Sequence, residues 1–477
     1  METHPPTAPG RAAEIPAGAP ETPAGAPEPE VRLWGPGRGR LTAGLVLTVT
    51  LVAFESLAVA TVMPVVADDL GGLGLYGWVF SGFFLGSLLG IVVAGDTADR
   101  RGTRLPYATG LVLFAAGLVV GGAAPSMGVL VVGRVLQGVG AGAIPAVAYT
   151  TVGRAFPPAL RPRVFAVFST AWVVPGLLGP AAASGIERWA SWRVVFLALL
   201  PLVALAAAMT LPILSGTVPD DGAAARAPNR WRPAAVLVVG VALVLAGLST
   251  EGAGPAAALV VAGAPVAALA FLRLVPAGTV RLRPGVPAAV AVRGILTFAF
   301  FGTDAYISLA VTDARGQPTW MAGLALTATT LSWTAGSWIQ QRLVLSRGPR
   351  RLVRWGFAGL AAGVAGTMVG LGSVPVAVLI AAWTVGGLGI GLSYAPLSTT
   401  VLGGAASGTE GRASSSLQLT DVLGTSLGTG MAGVFVALGE AHDWSTGSSL
   451  TLAFLVTLGV ALAGVAAAGR LPRRLPT

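Results

Sequence analysis

The chain contains no cysteine, and its only histidines are His4 and His442. The first absence excludes a disulfide framework and a thiolate metal site, and it leaves the redox compartment unmarked. The second argues against a histidine-based metal centre, because both residues fall outside the apolar runs. Charge is scarce too: ionisable Asp, Glu, Lys and Arg make up 10% of 477 residues, and with lysine absent all 30 basic residues are arginine. No nucleophile elbow, phosphate-cradling loop or metal-ligand cluster is present, so an enzyme and a bound cofactor are not expected. The formal charge of +10 raises the question of nucleic acid. The arginines form no basic face interleaved with aromatics, and this excludes that partner.

What the chain has instead is apolar length. Hydrophobic residues make up 54% of it and the mean hydropathy is +0.77, more than one soluble core can bury. The apolar stretches run near the roughly 20 residues that cross about 30 Å of hydrocarbon as helix. They do not alternate as barrel strands do, and backbone groups in lipid must be satisfied within their own segment, so the expected class is all-α integral membrane.

Helices are expected at 41–66, 76–98, 105–124, 128–152, 164–185 and 191–214, and again at 288–311, 320–341, 352–372, 375–401, 411–438 and 448–469. Two more, at 233–249 and 255–274, lie between these sixes and carry no ionisable residue in their cores. The domain plan is therefore a Pro- and Ala-rich arm (1–40), a six-helix bundle (41–214), a linker with two extra helices (215–287), a second six-helix bundle (288–470) and a tail (471–477). The arm reads as disordered and not as a signal peptide, since the first apolar run is too long and too late for one. Arg188, Arg193 and Arg315 fall on one side of this arrangement and Arg134 within a helix, while every other arginine, Arg293 included, falls on the opposite side. The positive-inside rule then places both termini in the cytoplasm of a multi-pass plasma-membrane protein and requires an even number of spans, here fourteen.

The two sixes repeat each other. An offset of 249 residues carries Glu55 to Asp304, Gly138, Gly140 and Gly142 to Gly387, Gly389 and Gly391, and Gly179 to Gly428; it slips to 241 between Gly95 and Gly336. Parallel duplication of this kind is the plan of transporters that rock two halves about a central site.

Residues 95–104 read GDTADRRGTR, in which Gly95 permits close helix contact, Gly102 a tight turn, and Asp99 with Arg100 and Arg104 a charged latch. This string resembles the signature loop of the major facilitator superfamily, with Thr103 where that loop usually has a second Arg; GSWIQQRL from Gly336 resembles a decayed copy, with Gln340 in place of the Asp. RVLQGVGAG, from Arg134 through Gln137 to Gly142, is similar to the family's RxxQGxG motif, and an Arg in an apolar helix must face the bundle interior, since insertion costs about 2.5–3.5 kcal/mol. At the repeat-related position stands Trp383. WVVPGLLGPAAASG, from Trp172 to Gly185, is similar to the family's antiporter helix motif, with Pro175 for its first Gly and Gly176, Gly179 and Pro180 following. FESLAVATVMP, with Glu55 before Pro64, and ASWRVVF at 190–196 resemble segments of the fourteen-helix drug:proton antiporters.

The resemblance implies a major facilitator fold of two six-helix bundles plus two additional central helices, 14 in total, and alternating access. It also implies a latch that stabilises the outward-open state and a role for Arg134 in proton coupling. Glu55, Arg134, Asp304 and Asp421 are the only ionisable residues expected in apolar cores, which makes each a candidate for proton coupling. A carboxyl that alternates between apolar surroundings and a nearby guanidinium can load and release a proton. Glu55 is assigned that task, with Arg134 as modulator and Asp304 or Asp421 as a second acid. Gln137, Trp172, Phe298, Phe301, Tyr306, Trp333 and Gln418 are candidates to line a cavity for small lipophilic compounds, cations among them. The expected protein is a monomeric exporter driven by the proton gradient. A dedicated exporter of one natural product or metabolite is a second reading, and a non-transporting scaffold or receptor a third.

Overall fold

The computed structural model describes residues 33–35, 38–71, 75–214, 229–248 and 253–475. Most of the arm expected over 1–40, and the last two residues of the tail, lie outside the described residues. The N-terminal bundle comprises α1 (Arg38–Leu70), α2 (Tyr76–Arg101), α3 (Arg104–Gly122), α4 (Met127–Ala155), α5 (Arg161–Thr170), α6 (Val173–Trp189), α7 (Trp192–Leu197) and α8 (Leu200–Leu214). An inserted pair follows, α9 (Trp231–Leu248) and α10 (Ala253–Leu274). The C-terminal bundle comprises α11 (Val286–Asp304), α12 (Ile307–Thr312), α13 (Thr319–Arg347), α14 (Pro349–Gly370), α15 (Val376–Gly403), α16 (Glu410–Ala441) and α17 (Thr446–Ala467).

Twelve helices among the described residues are long and apolar enough to cross a membrane, so the expected count of fourteen is not supported. α9 falls short in length, its apolar part ending at Gly247. α13 is long, but its threonines, serines, Gln340, Gln341 and Arg342 make it too polar.

Three expected single helices are interrupted. The break between α5 and α6 falls at Ala171 and Trp172, where Pro175 lacks the N–H that would bond the Ala171 carbonyl and its ring crowds that group. Pro201 does the same to Leu197 at the break between α7 and α8. The break between α11 and α12, directly after Asp304, has no proline to cause it.

Within each bundle the closest crossings are backbone on backbone, as small residues allow in lipid. A Cβ on Gly138 or Gly142 of α4 would strike the carbonyls of Phe83 or Ser87 in α2; one on Gly387 or Gly391 of α15 would strike those of Thr329 or Trp333 in α13. Gly90 meets Val139 as Gly336 meets Leu388. α2 and α13 end alike, on Gly102 with φ 80° and Gly348 with φ 77°, a left-handed conformation that favours glycine. These matches fix the offset between α2 and α13 at 246 residues, which corrects the expected slip of 241. Gly336 is therefore the counterpart of Gly90 and not of Gly95. The counterpart of Asp99 is Leu345, an exposed apolar side chain, and not Gln340, whose amide donates to the Pro162 carbonyl.

The inserted pair lies across the seam between bundles. Ala234, Leu237, Ala270 and Leu274 pack with Leu88 and Val92 of α2 and Leu419 of α16. Arg230 anchors it by donating to the Leu274 carbonyl and to Ser415 Oγ at 3.3 Å. Burial lowers the Arg230 pKa to about 10, which leaves the group charged at neutral pH.

Gly138→Val is expected to lower the stability of the purified protein in detergent by about 1–3 kcal/mol, the usual range for overpacking. Gly128→Ala, with open space around it, should leave the melting temperature unchanged. Thermal unfolding of the two variants checks the difference.

Candidate functional site

The repeat produces two corresponding contacts between the first helix and the fourth long helix of each bundle. In the N-terminal bundle, Arg134 of α4 donates to Glu55 of α1, to Gln137 Oε1 at 2.8 Å and to the Val79 carbonyl at 3.2 Å. Its guanidinium carbon stands 4.3 Å from the centre of the Phe83 ring. Glu55 is 1% exposed and Arg134 2% exposed, so the pair is closed off from solvent. Two polar atoms of this cluster, Glu55 Oε2 and Gln137 Nε2, have no hydrogen-bond partner.

In the C-terminal bundle the counterpart of Glu55 is Asp304 and that of Arg134 is Trp383, and these two also meet. The Trp383 indole donates to Asp304 Oδ1 at 2.8 Å. The donor is neutral where its partner in the other bundle is charged. Trp383 stacks on Phe300 with ring centroids 5.2 Å apart, and Phe300 in turn packs edge-on against Phe301 and Trp333. Trp333 reaches Tyr394, and its own indole Nε1 has no partner.

A third cluster lies nearer the arginine-rich end. Arg293 of α11 donates to Asp421 Oδ1 of α16 at 2.6 Å and to the Tyr394 carbonyl at 2.7 Å. Tyr394 donates its hydroxyl to Asp421 Oδ2 at 2.9 Å, and Tyr149, from the other bundle, is buried. Arg293 is thus a fully buried charge inside a helix, a fifth ionisable residue beside the four expected in the apolar cores. It stands five residues inside the stretch expected from 288, so its position along the run was the available signal.

At the arginine-rich end a polar seam joins the bundles. Asp99 accepts from the backbone N–H groups of Gly411 at 2.7 Å and Arg412 at 2.8 Å and from Arg154 at 2.7 Å. The carboxylate therefore sits on the N-terminus of α16, where unpaired N–H groups and the helix dipole favour an anion. Asp96 takes Arg412 at 2.7 Å and Arg100 at 2.9 Å, and Arg154 also reaches Glu410. The partners expected for Asp99 are corrected: Arg100 bonds Asp96 on its own helix and Arg104 is exposed. Gly95 backs directly onto Gly411, which brings the two helices this close. Asp96, Arg154, Glu410 and Arg412 were not foreseen.

The other candidates are dispersed. Trp172 is 48% exposed at the α5–α6 break. Gly179 faces Phe54 and Leu57 of α1, Gly176 faces Thr330 of α13 across the seam, and Pro180 is exposed. The Phe298 backbone packs against Gly428, the Tyr306 hydroxyl donates to the Thr429 carbonyl at 3.0 Å, and Gln418 is buried on α16. Of the proposed cavity residues, Gln137 accepts from Arg134, the partner of Glu55, and Phe301 and Trp333 pack with Phe300 beside Trp383, the partner of Asp304.

Every hydrogen bond between the bundles among the described residues belongs to the arginine-rich half. Besides the seam, these include Ser337 to Ser169 at 2.9 Å, Trp338 to Thr170 at 3.1 Å and Ser414 to the Ala146 carbonyl at 2.8 Å. That end is closed, and among the described residues the opposite half has no such tie.

Residues 45–429 match the model of the Major Facilitator Superfamily. A protein of Mycobacterium tuberculosis named probable multidrug-efflux transporter is 27% identical over 450 residues, spanning 90% of this chain and 94% of that protein. The fold is similar to that of the human organic anion transporter MFSD10, with a TM-score of 0.67 and 16% identity over 90% of this chain and 100% of that one. It is similar also to the proton:xylose symporter XylE, with a TM-score of 0.62 and 14% identity over 89% and 94% of the two chains.

Asp99→Asn keeps the size of the side chain and removes the charge held by Arg154 and the α16 N-terminus. Hydrogen bonds to charged groups contribute about 1.5–3 kcal/mol, so the closed seam should open roughly ten- to a hundredfold more often. Maleimide labelling of a single cysteine at the buried Ser414, in this otherwise Cys-free chain, should speed up by that factor. An unchanged rate would contradict the role of the seam.

Proposed function

Since this chain belongs to the major facilitator superfamily, a family of membrane carriers, we propose that it is a proton-coupled exporter of small lipophilic compounds, working by alternating access. The observation that carries the reading is the closed ion pair of Glu55 and Arg134, with one carboxylate oxygen left without a partner. A guanidinium in apolar surroundings is tolerated because Glu55 compensates it, and leaving either partner alone there costs several kcal/mol. Proton binding at Oε2 would discharge Glu55 and leave Arg134 uncompensated. The pair must then rearrange, which ties proton occupancy to conformation.

The positive-inside rule sets the arginine-rich end in the cytoplasm. On that orientation the sealed seam closes the inner side, and this is the outward-facing state, in which an exporter releases its cargo and takes up protons. The multidrug-efflux name of the Mycobacterium relative supports export of foreign compounds. Exposed Trp172 and the Phe301–Trp333 pair suit lipophilic cargo, including cations.

Glu55→Gln preserves size and hydrogen bonding but cannot ionise. In proteoliposomes it is expected to abolish uphill ethidium transport driven by a pH gradient while leaving downhill ethidium movement in place, and Glu55→Asp should retain part of the driven activity. Full pH-driven accumulation by Glu55→Gln would overturn the assignment.

A further inference from the structure

The duplication sets an acid against the fourth long helix twice and compensates only one of the two with a charge. Glu55 has Arg134 and Asp421 has Arg293, whereas Asp304 has a neutral indole on Oδ1 and no partner among the described residues on Oδ2. We propose that the Asp304 carboxyl is a second proton site, separate from Glu55 and loaded from the side opposite the sealed seam. This rests on the reading of the chain as a proton-coupled carrier and assigns that carrier a residue for another proton.

Three features support it. No opposing charge among the described residues bonds Asp304. Along α11 the one basic residue, Arg293, lies eleven positions back, about 16 Å at 1.5 Å per residue, and it is held by Asp421. α12 and α17 carry no titratable side chain, and α15 carries only Tyr394. The arginines of α13 and α14 (Arg342, Arg347, Arg350, Arg351 and Arg354) stand at the arginine-rich ends; α16 holds Glu410 and Arg412 at its start, Asp421 in the Arg293 cluster and Glu440 near its far end. Past α12 stand Asp313, which accepts from Thr312, and Arg315, which donates to the Val374 carbonyl.

Next, Asp304 is the last residue of α11, at a break that no proline explains. A helix C-terminus carries unpaired carbonyls and the negative end of the dipole, which disfavours a carboxylate and favours a proton or another cation. Interrupted helices are where transporters place coupling-ion sites. Finally, access differs. Glu55 is sealed, while Asp304 is partly exposed and the adjoining Ala305 is exposed, in a half of the molecule where no interbundle hydrogen bond among the described residues closes the way. In the loading step a hydronium from the outer side transfers its proton to Oδ2 and leaves water behind. The reverse transfer, to water, follows on the cytoplasmic side after the conformational change.

Infrared difference spectroscopy between acid and alkaline pH, on purified protein in lipid nanodiscs, reads titrating carboxyls by their C=O stretch and needs no substrate. The proposal expects one titrating band that survives in Glu55→Gln, disappears in Asp304→Asn and returns, displaced, in Asp304→Glu. Trp383→Phe keeps the carboxyl and removes its donor, so it should shift the frequency of that same band, a result that does not depend on the folding of Asp304→Asn. A spectrum unaltered by both Asp304→Asn and Trp383→Phe would overturn the proposal. Ethidium-evoked proton release by the wild-type protein separates this from the broader reading: its absence alongside an intact Asp304 band would sink proton-coupled export and leave the protonation site standing.

Discussion

A guanidinium placed in the apolar interior of a membrane protein has to be compensated there, because neither water nor lipid will do it. Two arginines among the described residues meet that condition, Arg134 against Glu55 and Arg293 against Asp421, and each lies against an aromatic ring and donates to a further acceptor. Much of the polar architecture follows from these pairs. They fix the facing surfaces of α1 and α4 and of α11, α15 and α16, and they hold charge where a change of proton occupancy must be answered by a change of packing. Asp304 marks the exception, a carboxyl in the same symmetric position with only an indole to satisfy it.

The two halves share a backbone plan and differ in the chemistry laid on it. Glycines let α2 cross α4, and α13 cross α15, in the same register, and both α2 and α13 end on a left-handed glycine. On this common frame the first bundle keeps Arg134 and the latch acid Asp99, where the second has Trp383 and Leu345. The acid of the first bundle caps a helix of the second, so the seam is one-sided: Asp99 reaches across to the N-terminus of α16, and no equivalent carboxylate reaches back from Leu345. The inserted α9 and α10 lie over this seam and are anchored by Arg230 close to the same helix end.

Apolar run length was enough to locate the helices in the sequence to within a few residues, and the charge of Asp99 and Arg134 inside or beside those runs marked them as special. Their partners were harder to read. Asp99 meets Arg154, Gly411 and Arg412, groups that only the packing of α2, α4 and α16 brings together, and two of its bonds are to backbone, which no side-chain pattern reveals. Arg293 was missed because it was counted with the arginines of the adjoining loop end, although it stands about two turns inside α11. The register of the second-half loop was misjudged because a single glycine, Gly336, was matched without the backbone crossing that identifies it with Gly90. The count of fourteen spans failed at α9 and α13, one short and one polar, because run length was read more generously than hydropathy allows.

In proton-coupled export, cargo and protons exchange for one another through buried carboxyls. The most direct measurement is the proton count on ligand binding, made by adding ethidium to purified wild-type protein in weakly buffered detergent solution and following pH. Exchange predicts proton release that grows with ethidium occupancy and saturates with it. Saturable ethidium binding with no release of protons at any pH would contradict it.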